Sequence, residues 1–216
     1  MKLVVLGASG GCGAQLVAQA KARGHEVTAV VRSSAWQPPE GVRVERGDLT
    51  SEAFLRQAVR GADAVASALG LRIAGLAPWN KPEQPDFLSR STPALVAALK
   101  AEGVKRVIAI SAGGVGDSRE KMPGFFRAFI AMTALKLAYA ELAVMERVLL
   151  ESGLEVSIPR PSGLTDGPPT GAVKIVDTFK GRATISRADV AGWMLSQLEQ
   201  PKFSDPRTPT ITVTGA

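Results

Sequence analysis

The sequence predicts an α/β fold: a doubly wound, parallel β-sheet in one domain, with a short C-terminal elaboration. Three observations carry that expectation. Short β-branched runs alternate with longer stretches of helical periodicity. Several of those stretches stop at a glycine, with Gly24, Gly61, Gly103 and Gly153 each just past an apolar-periodic segment. The 216 residues, 45% hydrophobic and 21% charged, suit a globular chain able to bury a sizeable core.

Taken in order, the β-branched runs predict strands over Lys2–Leu6, Glu26–Val31, Val42–Glu45, Ala64–Ser67, Arg106–Ser111 and Glu155–Pro159. Between them the helical period predicts Cys12–Arg23, Ser51–Arg60, Ser91–Glu102 and one long helix over Phe125–Ser152. The final third changes character. Pro159 to Pro169 is rich in Pro, Gly, Ser, Thr and Asp and reads as a loop. A strand over Ala172–Val176, a helix over Ala188–Gln200 opened by Ser186, and a last strand over Thr210–Thr214 complete the pattern. With no internal repeat, low-complexity tract or linker, residues 1–216 read as one domain.

Composition narrows the function. A net charge of +6 invites comparison with nucleic-acid binders, but the 26 basic residues are scattered and aromatics are few, so no nucleic-acid surface is expected. A phosphate-bearing cofactor would use part of that charge. Cys12 and His25 are the only residues of their types, which excludes an internal disulfide and makes a metal site unexpected. A reducing, cytoplasmic setting is the simpler expectation. The apolar start breaks at Gly7, too early for a secretory signal, and Phe125 to Leu142 is broken by Arg127, Thr133, Lys136 and Glu141, so no membrane partner is expected. No strong self-pairing surface is visible, and a monomer or weak homo-oligomer follows.

Directly after the first strand comes Gly7-Ala8-Ser9-Gly10-Gly11-Cys12-Gly13. Gly7 permits a tight turn, Gly10 lets backbone approach a pyrophosphate, and Gly13 lets the helix pack close to the sheet. Ser9, Gly10, Gly11 and Cys12 would offer backbone N–H groups, backed by the partial positive charge of the helix start. A sharp βα turn without a ligand is the alternative. The context of strand, turn and amphipathic helix favours a Rossmann-like dinucleotide fold.

The second strand ends Val31-Arg32-Ser33-Ser34, with no acid for the ribose hydroxyls of NAD. Arg32 suits a 2′-phosphate, with Ser33 and Ser34 as further donors, so NADP(H) is expected before NAD(H). A solvated arginine at a strand end is the alternative. In Gly47-Asp48-Leu49, Asp48 can accept from an adenine amino group or serve helix entry, and both readings stand. Ala68-Leu69-Gly70 would let backbone run along the cofactor, although Gly70 could equally be a turn.

These residues, with Ser111-Ala112 and Leu150-Glu151-Ser152-Gly153-Leu154, occur in an order that resembles the atypical short-chain dehydrogenase/reductases. Within that group the likeness is to the NADPH-dependent flavin reductase/biliverdin-IXβ reductase family of the NmrA-like, NAD(P)H-binding kind. It extends over nearly the whole chain, through Glu146 to Leu149, Asp166 to Gly171 and Ile185 to Ala191. The resemblance implies that Ser111 lies by the nicotinamide. The histidine of that family's active-site loop falls at Gly163, so this chain lacks it.

Short-chain dehydrogenases pair a tyrosine with a lysine four residues on, which lowers the phenol pKa from about 10. The only tyrosine here is Tyr139; Ala143 stands four positions later and Lys136 three before. Tyr139 is therefore a packed aromatic, a pocket wall, or a proton-transfer partner of Lys136 in reversed order. Ser111 can bond substrate or carboxamide, or cap the next turn. Phe125, Phe129 and Met132 share a helical face that packs on the sheet or forms a flat wall or lid. Arg72 and Trp79 would border the same mouth, and Arg160, Ser162 and Gly163 its other side. Two functions follow: an NADPH-dependent reductase of a small planar or carbonyl substrate, and a non-catalytic NADP(H)-binding redox sensor. A sugar-nucleotide epimerase ranks lower because it needs the Tyr-Lys pair.

Overall fold

In a computed structural model, described for residues 1–32, 35–176 and 183–203 and for the backbone of 211–213, the alternation of the sequence becomes a single central sheet. Strands β1 (Lys2–Leu6), β2 (Glu26–Val31), β3 (Arg43–Arg46), β4 (Ala64–Ser67), β5 (Arg106–Ala109) and β6 (Glu155–Ser157) pair in the order β3-β2-β1-β4-β5-β6. Every pairing is parallel. Chain order reverses between β1 and β4, and at such a switch point the strand ends leave a crevice.

Strand β1 is apolar from Leu3 to Leu6 because both of its faces are buried there. Leu3 and Val5 pack into one layer with α1 (Gly11–Ala22) and α6 (Arg187–Leu198), through Leu16, Val17, Val190 and Met194. Val4 and Leu6 pack into the other with α2 (Glu52–Val59), α3 (Phe87–Ala101) and α5 (Leu135–Leu150), through Leu55, Leu95, Leu99, Met145 and Leu149. The two-residue side-chain period of one strand thus feeds two cores.

Several elements differ from expectation. Helix α3 starts at Phe87 and runs through Pro93. Burial of Phe87 and Leu88 to 4% and 1% exposure anchors the extra turn. The long helix expected over Phe125–Ser152 is two, α4 (Gly124–Met132) and α5, meeting at 103°. Extended Thr133 ends α4, and fully buried Ala134 donates its N–H to the Leu76 carbonyl. No residue of α4 is buried, so it does not pack on the sheet. No single helix among the described residues is long and apolar enough to cross a membrane. The expected loop at Pro159–Pro169 contains β7 (Gly163–Thr165), paired parallel with β9 (Thr184–Ser186); β8 (Val173–Ile175) pairs antiparallel with β10 (Ile211–Val213). Thr210 and Thr214, expected to bound the last strand, lie outside the described residues.

Two polar clusters hold the segments around the crevice. Glu146 on α5 is 3% exposed and must be neutralised there. Arg160 meets it with two hydrogen bonds, Nε to Oε1 at 2.9 Å and Nη2 to Oε2 at 2.6 Å, and its Nη1 donates to Asp117. This corrects the expectation that Arg160 borders a substrate pocket: it is a buried clamp between α5, the end of β6 and the loop after β5. In the second cluster, Asp189 accepts from Ser186 Oγ, from the Thr170 N–H and hydroxyl, and from the Gly171 N–H, all at 2.8–2.9 Å. Burial alone would raise its carboxyl, but these donors hold it below the ordinary value.

Replacing Arg160 with Met leaves Glu146 buried without a cation. Urea unfolding should show a loss of about 3–5 kcal/mol, largely recovered in the double variant Glu146→Leu/Arg160→Met. A loss of less than about 1 kcal/mol would contradict the clamp. For Asp189 the folded-state pKa is depressed, so its contribution is present above the unfolded value of about 4 and is lost as pH falls through the folded one. Asp189→Asn should therefore be less stable at neutrality and show a shallower fall in stability below about pH 4 than the wild type.

Candidate functional site

The glycines after β1 fall into two physical kinds. Gly7 has φ +75°, and a Cβ there would lie 2.8 Å from the Ala68 carbonyl oxygen. A Cβ on Gly13 would lie 2.1 Å from the Gly7 oxygen, so α1 can sit this close to β1 only with glycine there. Gly10 is different. Its φ is −82°, and a Cβ would meet nothing nearer than the Gly7 oxygen at 3.4 Å. Gly70, after β4, would meet nothing within 4 Å. Both border a cavity of about 1010 Å³, so the space they leave open lies outside the protein.

The start of α1 is open to this cavity. Gly10 supplies no side-chain cap, the first turn holds no acid, and the N–H groups of Gly11, Cys12 and Gly13 find no acceptor among the described residues. Ser51 and Ser186, by contrast, cap α2 and α6 with their hydroxyls. An anion at α1 would satisfy those donors and the helix dipole together. Arg187 adds a charge the sequence reading missed. It lies against Gly11, whose Cβ would fall 2.6 Å from its Cδ, and it lines the cavity while paired to Asp166 at 2.6 Å. The capped helix start Ser186-Arg187-Ala188-Asp189 was the available signal, but only the fold carries it across to α1.

The cavity runs from this turn along the ends of β4 and β5. It brings together Gly10, Gly11 and Cys12, then Ala68, Leu69 and Gly70, then Ser111, Tyr139, Ser162 and Gly163. Phe126, Met122, Leu76 and Leu142 complete apolar walls that sequence reasoning did not assign. Phe125 and Phe129, expected as the wall, are 63% and 43% exposed and do not line it; the intervening Phe126 does, because α4 turns that side inward. Gly7, Ser9 and Gly13 shape the turn without lining the cavity. Arg72 does not line it but borders a small hollow shared with Arg32, Gly70, Glu83 and Phe87. Arg32 donates to Gln84 Oε1 at 3.0 Å and lies 5.0 Å from the Phe87 ring centre. Ser33 and Ser34 lie outside the described residues.

Asp48 serves its turn. Its carboxylate accepts from the Thr50 N–H and hydroxyl at 2.9 Å, bonds that hold its pKa below the ordinary value, and Ser51 provides the α2 cap. The Leu49 side chain is 2% exposed, in the core.

Chemically, the cavity is poor in acids and bases. Among the described residues its lining contains no carboxylate, histidine or lysine. Burial pushes the Cys12 thiol up to about 11, which keeps it protonated and inert. Tyr139 donates its hydroxyl to the Gly113 carbonyl at 3.1 Å, and burial raises its pKa above the ordinary value. No hydrogen bond joins Lys136 to that hydroxyl among the described residues; its proton goes to the Gly113 carbonyl instead. Two hydroxyls remain: Ser111 Oγ and Ser162 Oγ are buried, border the cavity and have no hydrogen-bond partner among the described residues. Backbone bonds from Ser111 to Pro159 and from Gly113 to Pro161, each 2.8 Å, tie together the two loops that present them. Orphaned hydroxyls in an apolar crevice that begins at an open helix start fit a dinucleotide's polar carboxamide end.

The sequence model of the NAD(P)H-binding family matches residues 7–201. YhfK of Bacillus subtilis, described as an uncharacterized sugar epimerase, is 30% identical over 205 residues, covering 93% of this chain and 89% of that one. Among solved structures, ChuY, an anaerobillin reductase from Escherichia coli O157:H7, superposes with a TM-score of 0.80 at 24% identity, over 100% of this chain and 98% of the other. A short-chain dehydrogenase/reductase from Veillonella parvula, solved with NADP, gives 0.81 at 19% identity, over 99% and 95%. At these identities the two structures establish the shared Rossmann fold. From the matched sequence and the open, glycine-lined start of α1, this chain belongs to the NAD(P)H-binding family.

Proposed function

We propose that the chain is an NADPH-dependent reductase that delivers a hydride to a small, planar, apolar acceptor such as a flavin, a quinone or a linear tetrapyrrole. The observation that carries this reading is the cavity lining: two unpaired serine hydroxyls, apolar walls and, among the described residues, no side chain poised to exchange protons near neutrality. The bound cofactor supplies the hydride. The chain's own residues bind and orient: the α1 start and Arg187 hold the diphosphate, Ser111 and Ser162 fix the polar edge of the ring, and Leu69, Phe126 and Leu142 exclude water from the acceptor's face. A reduced flavin or quinone is protonated by water, so the missing tyrosine–lysine pair does not impede such a substrate. The similarity to an anaerobillin reductase points the same way.

The name of YhfK suggests epimerisation, which needs an acid–base pair at the reacting carbon. Here Ala143 stands where the lysine would, and the Tyr139 hydroxyl is occupied by a backbone carbonyl. The redox-sensor reading keeps one favourable observation, the same shortage of catalytic groups. The preference for NADP(H) over NAD(H) rests on Arg32 and Arg72 bordering one hollow beside the end of β2, where two guanidinium groups would take a 2′-phosphate next to Glu83.

Gly10→Asp separates binding from folding. The new carboxylate suits a helix N-cap, so the melting temperature should stay at or above the wild-type value, while NADPH affinity falls at least about 100-fold. Retained affinity would show that the dinucleotide lies elsewhere. In Arg32→Asp the ratio of NADPH to NADH affinity should fall at least about tenfold, and an unchanged ratio would refute the 2′-phosphate assignment. NADPH oxidation followed at 340 nm against a panel of flavins and quinones should show turnover that disappears in Gly10→Asp. Tight NADPH binding with no oxidation across the panel would establish the sensor instead.

A further inference from the structure

The large apolar side chains that the fold leaves exposed gather in one place. Among the described residues there are nine, and Leu76, Trp79, Phe125, Phe129 and Met132 are five of them. On α4, Phe125, Ala128, Phe129 and Met132 follow the i, i+3, i+4, i+7 spacing of one helical face, and all four are exposed. The inward side of the same helix is occupied: Phe126 lines the larger cavity, and Ile130 a smaller one shared with Tyr139. The Leu76 carbonyl accepts from the Ala134 N–H just past α4, which brings Leu76, and Trp79 three residues on, beside the end of the stripe. Leu76 also lines the larger cavity, so the apolar surface reaches the wall of the acceptor site. Exposed hydrophobic side chains are ordinary singly, but a stripe of large ones on one helix marks a surface that something covers.

The charge around the stripe selects what covers it. Residues 119–136, α4 with its flanks, carry Arg119, Lys121, Arg127 and Lys136 against Glu120 alone, which is half of the chain's net charge of +6. None of these four cations pairs with a carboxylate among the described residues. A second copy docked about a two-fold axis would set the cations against themselves. An anionic bilayer meets the apolar stripe and the cations together. At 103° to α5, α4 cannot extend that helix into a span, and it is free to lie along a membrane plane. The breaks at Arg127, Thr133 and Lys136 that argued against a membrane partner exclude only a span. A helix in the headgroup region keeps its cations in water.

We propose that α4 and the tip of the 71–86 loop form a membrane-docking surface seated in the headgroup region of an anionic bilayer, from which a lipid-dissolved acceptor such as a quinone enters the larger cavity. The docking stands on the surface alone; the entry of the acceptor rests on the reductase reading above. Phe125, Phe129 and Met132 reach the acyl boundary, and Trp79 sits at the interface, where an indole is favoured.

The test is flotation of the full chain with vesicles of phosphatidylcholine, alone or mixed with phosphatidylglycerol, at low and high salt. The wild type should bind the anionic vesicles at least about tenfold more tightly than the neutral ones, and salt should weaken that binding. Phe125→Ser/Met132→Ser removes exposed groups that line neither cavity, so its melting transition should be unchanged while affinity for anionic vesicles falls at least about tenfold. Brominated acyl chains should quench Trp79, a signal that Trp79→Phe removes while Trp36 and Trp193 remain. Adsorption through charge alone would leave Trp79 unquenched and the double variant still bound, and either result would overturn the docking. So would equal binding to both kinds of vesicle, or a concentration-dependent dimer, broken in the double variant, without flotation. NADPH oxidation by a quinone dissolved in anionic vesicles should fall in the double variant, with oxidation by a water-soluble flavin unchanged; equal quinone turnover would overturn the entry route. Absence of flotation with flavin turnover intact would overturn this inference alone. Flotation without turnover of any acceptor would support the docking and overturn the reductase reading and the entry route.

Discussion

The site depends on the closeness of α1 to the turn after β1. With room for no Cβ at Gly13 and a left-handed Gly7 beneath it, the helix start is pressed against the sheet at the point where strand order reverses. Its N–H groups then find no acceptor among the described residues. A substituent at either position would lift the helix, and the anion site with it. The rest of the cavity is assembled around that fixed end by loops leaving β4, β5 and β6.

Those loops would be loose without polar ties. Arg160 fastens the β5 and β6 ends to α5 through Glu146, and Asp189 gathers the 170–171 segment onto the start of α6, where Arg187 reaches across to Gly11. Binding groups are therefore held by structural charges that never touch the ligand space. The two kinds of arginine differ in this: Arg160 is spent on a buried acid, while Arg32 and Arg187 stay within reach of phosphate.

Much of the sheet was legible in the sequence because uninterrupted apolar runs and glycine stops are local signals; β1, β2 and β4 have the expected bounds. The turn from Gly7 to Gly13 was legible for the same reason. What escaped depended on distant partners. Nothing local to Arg160 reveals a buried Glu146 fourteen residues earlier. The Phe125–Ser152 stretch keeps a helical period across Thr133 because the break is made by burying Ala134 against Leu76, a contact between separate segments. For the same reason the inward face of α4 is that of Phe126 rather than Phe125 and Phe129. The short β7 strand is exposed along its length and carries no apolar alternation to announce it.

The central claim is that the open start of α1 holds the diphosphate of a pyridine dinucleotide. The most direct measurement is a calorimetric titration of the wild-type chain with NADPH, followed by a crystal structure of the complex. The account predicts saturable binding at one site, with diphosphate oxygens on the backbone nitrogens of Gly11 and Cys12. No heat with NADPH, NADP⁺, NADH or NAD⁺ at millimolar ligand, or a diphosphate placed away from α1, would contradict it.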